Sequence, residues 1–337
     1  MLQTVMRTMV TMLDHAPGPP PTALPWADAL LSDFPYIPHA QGNAILERLE
    51  FLLNAQASGA RVVGIRLTGP TNTGKTSSVL ELLRRHPPAR GPTGLMCPVL
   101  LIRLQERATL VSVYRAILKA LGSPAWNQGL DKNVRGMALD LMQHCGVRMV
   151  IVDEPHHLTA ARSEGARVGL AQMGKVLIDE GMLVVFCGVH SIDDLLSSEE
   201  LARRYPVHLA TSPYRLNKPQ DLKELRHFFD LVGQQWKDLE PVPLGSDDNW
   251  FVPLAATSAG AIGTAMPVLQ LAVVHARSTG AKTLELKHVV LMWEQYMQQS
   301  RESHLRHLET PSGRLKNPFR SYETALEILG QLSSVKK

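Results

Sequence analysis

The stretch "RVVGIRLTGPTNTGKTSSVLELLRR", residues 61–85, decides the fold. An apolar run enters a glycine-bounded turn and passes straight into a helical pattern that stops at Pro87-Pro88. Gly69, Pro70, Thr71, Asn72, Thr73, Gly74, Lys75 and Thr76 match G-x-x-x-x-G-K-[ST] at every fixed position. The glycines let the backbone curl so that successive N–H groups face phosphates at the positive end of the following helix. Residues 69–76, with Ser77 on the first helical turn, are therefore expected to bind a nucleotide. Lys75 is expected to reach the β and γ phosphates, and the Thr76 hydroxyl to hold Mg²⁺.

"RMVIVDEPHHL", residues 148–158, supplies a second half-site. An apolar strand ending in Asp153 brings that carboxylate beside the phosphate loop, where it organises the Mg²⁺ shell. The adjacent Glu154 is then in position to polarise a water for attack on the γ-phosphate. His156 and His157 follow at once, but neighbours at a strand exit point apart and make a poor chelate, so hydrogen-bonding roles are expected. In "LVVFCGVHSIDDLL", residues 183–196, His190 is the candidate for touching the γ-phosphate or the attacking water; the alternative is a solvated loop histidine. "SSEELARRYPVHL", residues 197–209, closes a short helix with Arg203 and Arg204. In ring- or filament-forming ATPases an arginine at this place reaches the neighbouring subunit's nucleotide. The plainer alternative is two solvated arginines favoured by the helix dipole.

Around these motifs, strands are expected near 61–67, 98–104, 148–152, 182–187 and 207–215, and helices near 75–86, 109–121, 129–144, 167–179 and 198–204. Continuous apolar strands separated by helices imply a parallel sheet covered on both faces. "GNAILERLEFLLNAQ", residues 42–56, adds a helix on Ile45, Leu49 and Leu52/Leu53 ahead of the loop-bearing strand. After about residue 216 only helical patterns remain. The expected organisation is an N-terminal arm with the proline-rich linker "HAPGPPPTALP" (1–33), an α/β core (34–215), a helical lid (216–304) and a C-terminal tail (305–337).

Composition is that of an ordinary globular chain, with 45% hydrophobic and 20% charged residues over 337 positions. A formal charge of +4 permits nucleic acid as a partner without demanding it. Cys97, Cys145 and Cys187 lack disulfide or zinc spacing and are expected as reduced core thiols. With no secretory signal and no apolar run long enough to span a bilayer, a cytoplasmic protein with no membrane partner is expected.

The arrangement resembles an AAA+ ATPase: a P-loop NTPase core with a parallel sheet flanked by helices, plus a helical lid. More narrowly it is similar to the TniB/TnsC family of transposition regulators, relatives of the phage Mu target-selection ATPase. The resemblance covers roughly 34–300 and is carried by "PYIPHAQGNAILERLEFLL" (35–53), "GPTNTGKTSSVLELL" (69–83), "VYRAILKALG" (113–122), "IVDEPHHL" (151–158), "FCGVHSIDDLL" (186–196) and "LARRYPVHL" (201–209). It implies an ATPase using ATP and Mg²⁺, stimulated by DNA, that oligomerises as a ring or helical filament on double-stranded DNA. It also implies partners, a transposase and a target-selection factor, which the protein connects. Basic residues on the segment after the second strand (Arg103, Arg107, Arg115, Lys119, Lys132, Arg135) and after the Asp-Glu strand (Arg162, Arg167) are the candidate DNA contacts. Two departures stand out: Gly260-Ala261-Ile262-Gly263 lies where a lid arginine is usual, and "GVH" replaces the threonine or asparagine usual after the fourth strand. Two other readings remain open, an AAA+ ATPase of another pathway (helicase loader or secretion-associated) and an ATP-locked DNA scaffold with little turnover.

Overall fold

The computed structural model describes residues 35–334 apart from 93, 105–108, 129–130, 155–163, 197–198 and 237. Among the described residues two compact units are present, one holding 44–69 and 75–210, the other 35–43, 70–74 and 211–334.

The first unit is built on strands that are apolar at nearly every position and therefore need cover on both faces. β1 (Gly64–Thr68), β4 (Val99–Arg103), β5 (Met149–Asp153), β6 (Leu183–Gly188) and β7 (Val207–Ala210) form one sheet in the order β4-β5-β6-β1-β7. Every pairing is parallel. β5 and β6 are buried throughout, whereas edge strand β7 alternates in exposure and ends at Ala210, short of the expected 215. α1 (Ala40–Ala57) buries Ile45, Leu49 and Leu53. α2 (Lys75–Arg85) lies against β4 and β6, and α3 (Leu110–Ala120) against β4 and α4 (Asp131–His144). α5 (Glu164–Asp179) covers β6, and the short α6 (Ser191–Leu195) and α7 (Glu199–Arg204) follow. A two-stranded hairpin, β2 (Ala89–Gly91) with β3 (Gly94–Met96), was not expected. Its strands are three residues long, too short to display a period.

α2 ends where Arg84 and Arg85 meet the buried Glu81, whose carboxylate accepts from Arg84 Nε at 2.6 Å and Arg85 Nε at 2.9 Å. Those two hydrogen bonds hold the Glu81 carboxyl below the usual range despite its burial.

The second unit is helical, with α8 (Pro219–Gly233), α9 (Asp248–Ser258), α10 (Met266–Ser278), α11 (Leu286–Met292) and α12 (Tyr322–Ser334). α11 runs on into a π-helical turn, Trp293–Met297. Pro219 opens α8 at a first-turn position that has no backbone N–H to satisfy. Phe228, Phe229, Phe251, Trp293 and Phe319 make its core, with Phe229 edge-on to Phe228 at 5.4 Å. Residues 305–334 are packed into that core through Leu305, Leu308, Leu315, Ala325 and Ile328, with α12 against α9. Among the described residues no single helix is long and apolar enough to cross a membrane.

One wedge in the first unit fixes α7 and β7 beside β1 and β6. Tyr205 is wholly buried and stacks on Phe186 with ring centres 5.0 Å apart. Gly64 on β1 and Gly174 on α5 leave the room its ring occupies, since a Cβ at either would fall within the Tyr205 side chain. Its hydroxyl is buried without a hydrogen-bond partner among the described residues. Gly64→Ala is expected to lower unfolding free energy by about 1–3 kcal/mol through overpacking, while Tyr205→Phe, which removes an unsatisfied hydroxyl, is neutral or mildly stabilising. Denaturant midpoints decide it, and a Gly64→Ala protein as stable as the parent would remove the wedge from the account.

Candidate functional site

In a parallel sheet the register decides which strand ends share a level, and here it aligns three chemically distinct side chains. Arg103 at the end of β4 is paired with Asp153 at the end of β5, and Asp153 with Cys187 on β6. β1 lies on the far side of β6, and Gly69 N–H donates to the Gly188 carbonyl at 3.2 Å. The phosphate loop thus leaves the sheet beside the carboxylates. This is the carboxyl edge, where ligands of open α/β sheets gather.

Lys75 is 5% exposed, and its Nζ donates to the Gly69 carbonyl at 2.8 Å. Burial lowers its pKa, opposed by Cys187, Glu154 and Asp153. Burial raises the Asp153 carboxyl, as does Glu154, against Arg103, the Cys187 thiol and Lys75. Cys187 is the register partner of Asp153, and burial pushes its thiol pKa well up. Glu154 leaves the strand at φ +54°, a left-handed conformation rare outside glycine, with its N–H on the Cys187 carbonyl at 2.8 Å. Backbone strain of this kind clusters at functional sites.

These residues suit a phosphate and a divalent cation. Asp153 Oδ1 is buried without a hydrogen-bond partner among the described residues, an acceptor with capacity to spare. Thr76 sits half-buried on the first turn of α2. Gly74 has φ +91°, and a Cβ there would press on the His39 ring, so the tight curl of the loop demands glycine.

Within the second unit, loop residues 70–74 are held by the turn at Gly260-Ala261-Ile262-Gly263, where an arginine was expected and none stands. Gly263 N–H donates to the Asn72 carbonyl at 2.8 Å, and the Asn72 side-chain amide lies 3.5 Å from the Thr264 hydroxyl. A side chain at Gly263 would crowd Asn72 at 3.1 Å. The Thr73 hydroxyl lies 2.8 Å from the Pro70 carbonyl and 2.6 Å from the Thr211 hydroxyl. His39 is buried edge-on to Phe228, with Nδ1 3.1 Å from the Ile37 carbonyl, and burial lowers its pKa.

The remaining expected residues fall elsewhere. His190 is exposed, with Nδ1 3.8 Å from Asp193; the β6 residue against the carboxylates is Cys187, which no sequence motif singled out. Arg203 pairs with Glu199, and Arg204 Nη1 lies 3.1 Å from Asp179. Both line a cleft of about 760 Å³ with Arg61. They precede β7, at the amino edge of the sheet, whereas the phosphate loop follows β1 at the carboxyl edge. A strand of this length separates the edges by on the order of 15 Å. Of the basic set, Arg103 lies beside Asp153, with Nε 3.6 Å from Oδ2. Arg115 donates to the Trp126 carbonyl at 3.0 Å and to Asp131 at 2.8 Å, and Lys119 sits 4.9 Å above the Trp126 ring. Arg135 is exposed on α4. Arg107, His156, His157 and Arg162, and the side chains of Lys132 and Arg167, lie outside the described residues.

The family model of the bacterial TniB protein matches residues 29–212, more than half of the chain. The chain belongs to the TniB family. Among solved structures it is similar to the Aeropyrum pernix ORC1 protein in complex with DNA, at 20% identity and TM-score 0.58 over 84% of this chain and 74% of that one. It is also similar to the Aeropyrum pernix ORC2 protein in its ADPNP-ADP complexes, at 15% identity and TM-score 0.58 over 91% and 98%. Cdc6p from Pyrobaculum aerophilum follows at 13% identity and TM-score 0.53 over 80% and 70%. No curated relative matches the chain. The neighbours are AAA+ P-loop ATPases, and this TniB protein has their fold.

Proposed function

We propose that this TniB protein is an ATP-dependent, DNA-binding regulator of transposition that oligomerises on duplex target DNA and connects a target-selection factor to the transposase. The observation that carries the ATPase part is the meeting of Lys75, Asp153 and Glu154 at the carboxyl edge, beside the loop that starts at Gly69. The DNA and transposition parts rest on family membership, supported by a fold neighbour whose structure contains DNA.

In this reading the backbone of residues 69–74, with Lys75, Thr76 and Ser77, holds the phosphates of ATP, and Thr76 and Asp153 hold Mg²⁺. The bound cation supplies neutralisation of phosphate charge. Glu154 takes the proton of the attacking water. Lys75, already desolvated, offers its charge to the phosphates without further loss of hydration. Arg203 and Arg204, at the opposite edge of the sheet, suit an action in trans on a neighbouring copy. Gly263 in place of the lid arginine favours one second reading, a scaffold that binds ATP and DNA with little turnover.

Lys75→Ala is expected to abolish ATP binding, whereas Glu154→Gln keeps ATP binding and DNA assembly and stops hydrolysis. Hydrolysis by Glu154→Gln at the parental rate would overturn the base assignment, and a parent with almost no turnover would favour the scaffold. Arg203→Ala or Arg204→Ala is expected to reduce turnover about a thousandfold with ATP affinity nearly intact. Mixed with Lys75→Ala, the arginine variant should regain part of its activity, because some interfaces then pair an intact loop with an intact arginine. No recovery in demonstrably mixed oligomers would leave both arginines as helix-end charges.

A further inference from the structure

Asp153 ends a fully buried strand, and its side chain is 6% exposed. A buried carboxylate is costly unless cations or donors surround it. Sheet register brings one compensating group from each side, the Cys187 thiol from β6 and the Arg103 guanidinium from β4. Among the described residues Arg103 carries positive charge to the carboxylate's own level in the sheet, and Lys75, whose Nζ donates to the Gly69 carbonyl, adds to it from the loop.

The Arg103 contact is close enough for attraction yet not locked. Nε lies 3.6 Å from Oδ2, beyond hydrogen-bond length, and the Arg103 side chain is 56% exposed. An arginine held this loosely, on a long flexible stem, swings into solvent at small cost. Arg115 on the same segment is instead anchored by hydrogen bonds to the Trp126 carbonyl and Asp131.

We propose that Arg103 is a resident counter-ion of Asp153 that a divalent cation must displace, so that this arginine sets the metal requirement of the nucleotide site. This rests on the reading of Asp153 as a metal-holding carboxylate. A monovalent cation occupies the carboxylate when the metal is absent, keeping the strand end neutralised. A doubly charged ion outcompetes it, and Arg103 then moves outward. Electrostatics alone gives the direction: removing a positive charge a few ångströms from a carboxylate strengthens its hold on any other cation, here by about threefold, because an exposed pair is weak.

The test follows binding of a fluorescent ADP to the full-length chain as Mg²⁺ is titrated, with an EDTA arm and no turnover readout. Arg103→Gln is expected to lower the half-saturating Mg²⁺ concentration about threefold while ADP affinity in EDTA stays the same. Arg103→Lys, which keeps the charge, is expected to fall near the parent. An unchanged or higher Mg²⁺ requirement for Arg103→Gln, in a variant whose thermal unfolding matches the parent, overturns the proposal and leaves the site reading standing. A parent whose ADP binding ignores Mg²⁺, or that binds no ADP, sinks both.

Discussion

A carboxylate buried at the end of a parallel strand is the constraint around which the first unit is organised. Asp153 cannot stay charged there without compensation, and the shared level of β4, β5 and β6 provides it on both flanks. The same register brings Gly69 against Gly188, so the loop that follows β1 opens beside that carboxylate rather than at the far edge. The loop start, the Asp153 carboxylate and Glu154 thus come together through one alignment.

The opposite edge of the sheet follows a second constraint, one of volume. Tyr205 fills the space left by two glycines and fixes the chain immediately after Arg203 and Arg204. The arginines themselves stay at the rim of a cleft, held by Glu199 and Asp179. In the second unit a backbone hydrogen bond runs from Gly263 to the Asn72 carbonyl. The turn at Gly263 therefore engages the loop through its backbone.

Much of this was legible in the sequence, for physical reasons. Apolar runs such as Leu183–Gly188 declare buried parallel strands, and all five sheet strands and the longer helices between them fall close to where the pattern indicates, while the single-turn α6 (Ser191–Leu195) is too short to show a period. The loop from Gly69 to Thr76 is set by local chemistry and needed no tertiary information. What escaped depends on register. Cys187 looked like a core thiol because its closeness to Asp153 exists only across two strands, and Arg103 looked like one basic residue among several for the same reason. The β2–β3 hairpin escaped because three-residue strands show no period, and β7 was expected too long because its alternation continues weakly into the chain beyond Ala210.

The central claim is that nucleotide state controls engagement of duplex DNA. Fluorescence anisotropy of labelled duplexes of unrelated sequence, with ATP and Mg²⁺, with ADP and Mg²⁺, and without nucleotide, tests it most directly. The account predicts tight binding only with ATP and Mg²⁺, indifferent to sequence, with affinity falling by orders of magnitude across a few-fold rise in salt as lysine and arginine contacts to phosphates release counterions. Binding that ignores both nucleotide and salt, or no binding with ATP present, would contradict it.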